Sequence, residues 1–340
     1  MKKLHTTILA AGAIIATGAN AQTQSVADFY KGKNVTIYIA FSAGGTYDLF
    51  GRMVARHIGK HIPGNPTVIA SNMPGAGGIT ATNYMYRAAP KDGTAMAIIT
   101  QNVAIEEALK NKAVQYKSNE FNWIGRATSN AEIHVLSTKS PGHTIGGAKK
   151  HETPVASTGP GSPSDSYARL LNATIGTKYK VVRGYPGSTD GLLAVERGEM
   201  DGALTSWNTM KSTRMNWLTE KRAFLPVQYV MKRSPELPDV PTAIELMTND
   251  ADRKLITFAL SSAEVGRSFL APPGVPADRV MALRTAFNAT MKDPDVLAEV
   301  QKGQLDFEPA TGEELAKIIA DTLSIDEATI ERMRKITTAD

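Results

Sequence analysis

The chain has 340 residues, with 38 Lys and Arg against 33 Asp and Glu, six His and no Cys. The lack of cysteine excludes thiol catalysis, thiolate zinc sites and iron–sulfur clusters, and a chain this long can bury enough surface without disulfides. The formal charge is +5, with no run of five basic residues and no aromatics interleaved with basic ones, so no nucleic-acid partner is expected.

Lys2 and Lys3 precede a short apolar run over 8–16, and Ala19-Asn-Ala21 fits a small-x-small cleavage site. Residues 1–21 therefore read as a signal peptide, too short for the ~20 apolar residues that span a bilayer. The expectation is a periplasmic protein starting near Gln22, with a charge of +3 once Lys2 and Lys3 are gone. A mature length of about 319 residues suggests two domains.

Val35, Ile37 and Ile39 alternate with Thr36, Tyr38 and Ala40, the period of a strand. Gly44-Gly45 stops it, and Thr46 and Asp48 can cap a helix over 49–61. A strand that ends at paired glycines before a helix leaves several backbone N–H groups facing one small space. The helix dipole makes that space favour an anion. A second unit follows: strand 67–71, the loop Asn72-Met-Pro-Gly-Ala-Gly-Gly78, helix 79–89. A turn at Pro90-Lys-Asp-Gly93 leads to a buried strand over 94–100 and a short helix over 105–109. Residues 122–126 and 132–137 read as an extended crossing into a second domain.

That domain opens with a helical stretch over 144–150 and repeats the unit. Strand 154–157 leads through Thr158-Gly-Pro-Gly-Ser-Pro-Ser-Asp165 to a helix over 166–172. Strand 180–183 leads through Gly184-Tyr-Pro-Gly-Ser-Thr-Asp190 to a helix over 191–198. A strand over 199–206 precedes Trp207 and a helix over 210–220, then a strand region over 222–231 and a proline-rich loop over 235–241. Either 255–260 or 265–270 carries the chain back. Ala271-Pro-Pro-Gly-Val-Pro276 is a rigid turn. Helices over 277–291 and 294–302, a strand over 305–307 and a last helix from Thr311 complete the chain, and Thr311-Gly-Glu-Glu314 has the form of a capping box. The expected architecture is α/β, two lobes joined by two crossings around a cleft. The first lobe takes 22–130 and 262–340, and the second takes 131–261.

Open α/β sheets bind ligands at the carboxyl ends of their strands, where these loops lie. Tight chain reversal is the plain reading of any one glycine turn, but four in one chain favour a ligand site. None is a nucleotide fingerprint: Gly-x-x-x-x-Gly-Lys-Ser/Thr is absent, and Gly75-Ala-Gly77 lacks a third glycine at dinucleotide spacing. A hydrolase would need more than Ser162, Ser164 and Ser166 in one half with His134, His143 and His151, since Gly161-Ser-Pro-Ser is not a nucleophile elbow. His57 and His61 have zinc spacing, but no third ligand stands nearby in sequence, and packed or surface histidines explain them. Phe41, Tyr185 and Trp207 stand near strand ends, where core packing is as good an account as ligand contact. Arg126 and Arg183 could pair a second carboxylate, with surface or hinge roles as the default.

Phe41-Ser-Ala-Gly-Gly-Thr-Tyr-Asp48, Asn72-Met-Pro-Gly-Ala-Gly-Gly78, Ala89-Pro-Lys-Asp-Gly-Thr94, Tyr185-Pro-Gly-Ser-Thr-Asp190, Glu196-Arg-Gly-Glu-Met-Asp201 and Ala271-Pro-Pro-Gly-Val-Pro276 together resemble the Bug/TctC family. These are the extracytoplasmic solute receptors of tripartite tricarboxylate transporters, and the resemblance runs the length of the chain. It implies a class II periplasmic-binding-protein fold without cofactor or catalysis, a small organic carboxylate as ligand, and membrane transporter subunits as partners of a monomer. It also implies that the first two loops pinch the carboxylate through backbone N–H groups and ordered waters. Ser42, Gly44, Thr46 and Asp48 match the first loop by position, and 74–78 match the second. Phe41, Gly45, Ala76, Gly77 and Gly78 complete the expected first-lobe site. Gly161, Ser162, Tyr185, Ser188, Asp190 and Trp207 are expected to cover the rest of the ligand. Backbone donors and helix dipoles need no arginine, and Asp48 suits capping and water ordering better than anion contact. Two departures stand out: Ser42-Ala43 replaces the family's usual proline-led start, and Tyr47 is bulky where smaller residues are common. The alternatives are an exported hydrolase using a loop serine and a periplasmic sensor presenting its ligand to a signalling partner.

Overall fold

The computed structural model describes residues 25–338, so the expected leader lies outside the described residues. In chain order the strands are β1 (Asn34–Ile39), β2 (Thr67–Asn72), β3 (Ala95–Ile98), β4 (Asn122–Arg126), β5 (Glu132–Ser137), β6 (Thr153–Ser157), β7 (Tyr179–Arg183), β8 (Gly202–Ser206), β9 (Ala223–Phe224), β10 (Gln228–Tyr229), β11 (Ser268–Ala271) and β12 (Ala310–Thr311). They form two sheets, ordered β12-β4-β11-β3-β1-β2 and β10-β5-β8-β6-β7, with β9 paired to β5.

The two sheets share a plan. In each, a strand–helix–strand unit gives two parallel neighbours, β1 with β2 and β6 with β7. A third parallel strand follows, β3 or β8. The next strand inward is antiparallel and has just come through a crossing: β11 beside β3, β5 beside β8. Both faces of each sheet are covered by helices. Val35, Ile37 and Ile39 pack with Phe50, Met53 and Phe287 on one face of the first sheet. Ala95, Ala97 and Leu270 pack with Met85, Trp123 and Leu315 on the other. Residues buried on alternate faces of parallel strands make the doubly covered arrangement the way to remove both from water.

The crossings, 127–131 and 261–267, run side by side. Ala127 N–H donates to Arg267 O (3.1 Å), Arg267 N–H to Thr128 O (2.9 Å) and Asn130 N–H to Ala263 O (3.1 Å). Arg126 stands beside the crossings, its Nε donating to Glu308 O at 3.2 Å and one terminal nitrogen donating to both the backbone oxygen and the carboxylate of Glu264.

Several local expectations shift. The first-loop helix is Thr46–Ile58, starting three residues early, because Gly45 takes the N-cap in extended backbone. Thr46 therefore does not cap, while Asp48 reaches back from the first turn to the Gly44 N–H at 3.0 Å. Pro163–Ile175 starts early because the Ser162 hydroxyl accepts from the Asp165 N–H and proline suits the first helical position. The fourth unit's helix is Ser188–Glu196. The stretch over 210–220 breaks at Arg214 into Trp207–Thr213 and Met215–Thr219. Residues 255–260 lie in the Asn249-capped helix Asp250–Leu260, so the return strand is β11. No strand forms at 305–307, since Asp306 N–H donates to Asn208 Oδ1 (2.8 Å) across the lobes instead of to a ladder. The Thr311 capping box is present and opens Gly312–Leu323. A further helix, Glu327–Thr338, packs Ile330 and Met333 against the core of the second-sheet lobe.

Candidate functional site

The facing carboxyl ends of the two sheets enclose a cavity of about 40 Å³. The first lobe supplies Phe41, Ser42, Gly45, Thr46 and Tyr47. The second supplies Thr158, the stretch 162–164, Gly187, Ser188, Leu204, Ser206 and Thr209, and Glu132 and Arg267 come from the ends of the crossings. Among the lining residues, Gly45, Ser162 and Gly187 are the N-caps of helices of 13, 13 and 9 residues. Three helix N-termini from two lobes thus converge on one space, an arrangement that favours a negative charge.

The lobes meet around this space. Thr46 N–H donates to Thr209 Oγ1 at 3.0 Å, and the Thr46 hydroxyl bonds the Ser206 and Thr209 hydroxyls. Ser42 Oγ donates to Asp190 Oδ2 at 2.5 Å, and Gly77 N–H donates to Thr158 O at 3.0 Å. A ligand of several heavy atoms needs some of these contacts to give way, because the cavity has room for only about three waters.

Asp48 does not line the cavity. Its carboxylate accepts from Arg52 Nε (2.8 Å), Asn72 Nδ2 (2.9 Å) and Gly44 N–H (3.0 Å). Burial alone would raise its pKa, but the hydrogen bonds from Arg52, Gly44 and Asn72 together hold it below the ordinary value. Asn72 also donates to Phe41 O at 2.8 Å, so this cluster ties the first loop to the end of β2. Ala76, Gly77 and Gly78 all have positive φ, and that loop touches the second lobe instead of lining the cavity. Gly44, Gly161, Asp190 and Trp207 also lie off the cavity wall, and Tyr185 borders a separate small space beside Ser188. The Trp207 indole donates to Glu236 at 2.5 Å, outside the cavity. Arg183 binds Asp165 through Nε (2.6 Å) and a terminal nitrogen (3.1 Å).

Residues the sequence did not single out stand at the cavity floor. Arg267 is 2% exposed. Its terminal nitrogens donate to Gln101 Oε1 (3.1 Å) and Asn130 Oδ1 (2.6 Å), and Glu132 lies 3.6 Å away. The guanidinium lies over the Tyr47 ring at 4.0 Å. Tyr47 OH accepts from the Gln101 N–H at 3.0 Å. The unusual bulk at 47 is therefore a platform for a buried charge. Burial raises the Glu132 carboxyl, against the opposing effects of Arg267 and Asn130.

The serines weighed as nucleophiles and two of the histidines are engaged elsewhere. Among the described residues, the hydroxyls of Ser162, Ser164 and Ser166 bond serines, Thr158 and backbone groups, while His134 Nδ1 meets Tyr229 OH at 2.7 Å and His143 Nδ1 meets Ser140 O at 2.7 Å. Carboxylates do gather at His57 and His61, where the sequence showed none. Glu299 is 3.2 Å from His57 and Asp293 is 2.7 Å from His61. The Lys60 ammonium already bridges Asp293 (2.7 Å) and Asp295 (2.9 Å) there. Among the described residues no helix is long and apolar enough to cross a membrane.

The family model for "Tripartite tricarboxylate transporter family receptor" matches residues 51–334. A protein of Agrobacterium vitis called "UPF0065 protein in the TAR-I ttuE-ttuC' intergenic region" is 29% identical over 276 residues, covering 79% of this chain and 75% of the relative. The structure of the periplasmic binding protein BugD superposes with a TM-score of 0.72 at 20% identity, over 90% of this chain and 98% of that one. MatC from Rhodopseudomonas palustris, with bound malate, superposes with a TM-score of 0.70 at 22% identity, over 90% and 99%. The fold is that of these binding proteins.

Proposed function

The chain belongs to the tripartite tricarboxylate transporter receptor family, and on that premise we propose that it is a periplasmic solute-binding protein. It captures one small organic carboxylate between its lobes and hands it to membrane subunits of the tripartite type. The observation that carries this reading is the convergence of three helix N-termini on one cavity lined from both lobes. Backbone N–H groups and hydroxyls hold the carboxylate. The Thr46 N–H and the hydroxyls of Thr46, Ser206 and Thr209, which pair with one another across the cleft, exchange those bonds for bonds to the ligand. The anion then links the lobes, and its differential affinity for the closed form drives closure. The closed face is what the membrane subunits distinguish from empty receptor. The bound malate in the neighbouring MatC structure agrees with a small acid as ligand.

A thermal-shift screen of mono-, di- and tricarboxylates tests the proposal, because a ligand that binds only the folded state raises its stability. At least one acid should raise the melting temperature in a concentration-dependent way. Stabilisation by sugars or cationic amines alone would defeat the reading.

A further inference from the structure

The arginine on the cavity wall is not among the loops that the fold aims at an anion. Arg267 comes from the hinge, one residue before β11, and lines the cavity. It is almost fully buried, and its charge is met by two neutral acceptors, Gln101 and Asn130, and by Glu132 at the longer distance of 3.6 Å. A guanidinium carries five N–H donors. Its Nε has no hydrogen-bond partner although it is out of contact with water. A buried donor left without an acceptor is costly, and buried charges otherwise come paired. Tyr47 beneath the ring plane and Asn130 at one edge fix the group in place. The arginine is thus preorganised, with its Nε–H still without an acceptor, on the wall of the cavity.

We propose that Arg267 is a specificity-determining contact that binds a second oxyanion of the ligand, distinct from the one held by the backbone N–H groups of the loops. The inference rests on the carboxylate-binding reading above and adds the group that selects among carboxylates. An arginine fork suits a carboxylate, whose two oxygens match its spaced donors. A ligand ammonium would face the same positive charge. Glu132 shares the cavity wall and competes for the guanidinium, so it moderates affinity for a doubly charged ligand. Because Arg267 sits in one crossing and bonds Asn130 in the other, occupation of this contact also bears on the hinge.

The test is calorimetric titration of the full chain with matched acids of three to six carbons, malonate through adipate against propanoate through hexanoate. Wild-type protein should bind at least one diacid ten-fold or more tighter than the monoacid of equal length. Arg267→Lys keeps the charge but loses the fork, and should cost that diacid at least ten-fold more than it costs the monoacid. Glu132→Gln keeps the Asn130 hydrogen bond and removes the competing charge. It should strengthen diacid binding several-fold without changing the monoacid, and it carries the test if the Arg267 variant does not fold. Equal wild-type binding of diacids and monoacids overturns the role of Arg267 but leaves carboxylate capture standing, as do equal losses for both classes in Arg267→Lys or an unchanged diacid affinity in Glu132→Gln. If no acid of either series binds, both the inference and the reading beneath it fall.

Discussion

Replacing Gly77 separates backbone strain from lobe closure. Gly77 has φ 64° and ψ 23°, the left-handed region. An alanine there costs roughly 1–2 kcal/mol whether the lobes are open or closed. A Cβ at 77 would also stand 2.7 Å from Pro160 O and 2.8 Å from Ser162 N, both on the opposite lobe. Relief requires the second-lobe loop to retreat, which breaks the 3.0 Å bond from Gly77 N–H to Thr158 O, worth about 1 kcal/mol. Only this second part changes the closed state relative to the open one. Gly77→Ala should therefore lower folding stability by about 1–2 kcal/mol and weaken binding of the carboxylate identified by the thermal screen about five-fold, which is what about 1 kcal/mol amounts to. Gly176→Ala is the control, because Gly176 has φ 75° and a Cβ there would meet nothing within 4 Å, so it carries the strain alone. Denaturant unfolding measures the first quantity and calorimetric titration the second. If Gly77→Ala unfolds more easily but binds within two-fold of wild type, closure does not pass through the second glycine loop.

Two further outcomes follow from buried groups. Burial, partly offset by the Asn111 amide and aided by Asp165, raises the Glu106 carboxyl to about 7. Its folded pKa exceeds the unfolded value of 4.5, so its stabilising contribution is full below 4.5 and disappears as pH rises through about 7. Glu106→Gln should flatten that decline and gain up to roughly 3 kcal/mol on wild type near pH 8; parallel stability curves from about pH 5 to 8 would show that Glu106 titrates normally. Lys211 pairs Glu236 (2.8 Å) on the second lobe with Asp306 (2.9 Å) on the first, and Glu236 also accepts from the Trp207 indole. Lobe movement should thus change Trp207 fluorescence, and Trp207→Phe should abolish the ligand-induced signal. A full signal in that variant would assign the change to Trp123 or Trp217 instead of Trp207, and an unchanged radius of gyration with bound ligand would argue for a rigid pocket.

What could be read from the sequence was what the backbone decides locally. Gly44-Gly45 after an alternating strand and Thr311 three residues before Glu314 are short-range instructions, and both sit at observed helix starts, whereas the cap at Ser162 went unread and its helix was expected only from 166. The anion preference belongs to the same class, since N–H groups at helix ends do not depend on distant side chains. Trp207 shows where local reading stops. Its place beside the end of β8 was right, but Ser206 and Thr209 face the cavity while Trp207 turns to Glu236. Residues three apart on a helix share a face and adjacent ones do not, so a helix starting at 207 sends the tryptophan elsewhere. Arg267 left a fainter trace, a lone charge between Gly266 and the buried strand Ser268–Ala271. That placement demands partners, yet they stand 166 and 137 residues away, at Gln101 and Asn130. The departure at Tyr47 had the same origin, because its ring is the platform for that arginine. In the proposed function, general affinity for a carboxylate belongs to loops whose geometry is written in a few adjacent residues. Selection among carboxylates, as proposed for Arg267, belongs to side chains that only the folded crossings bring together, which is why the first could be expected from the sequence and the second could not.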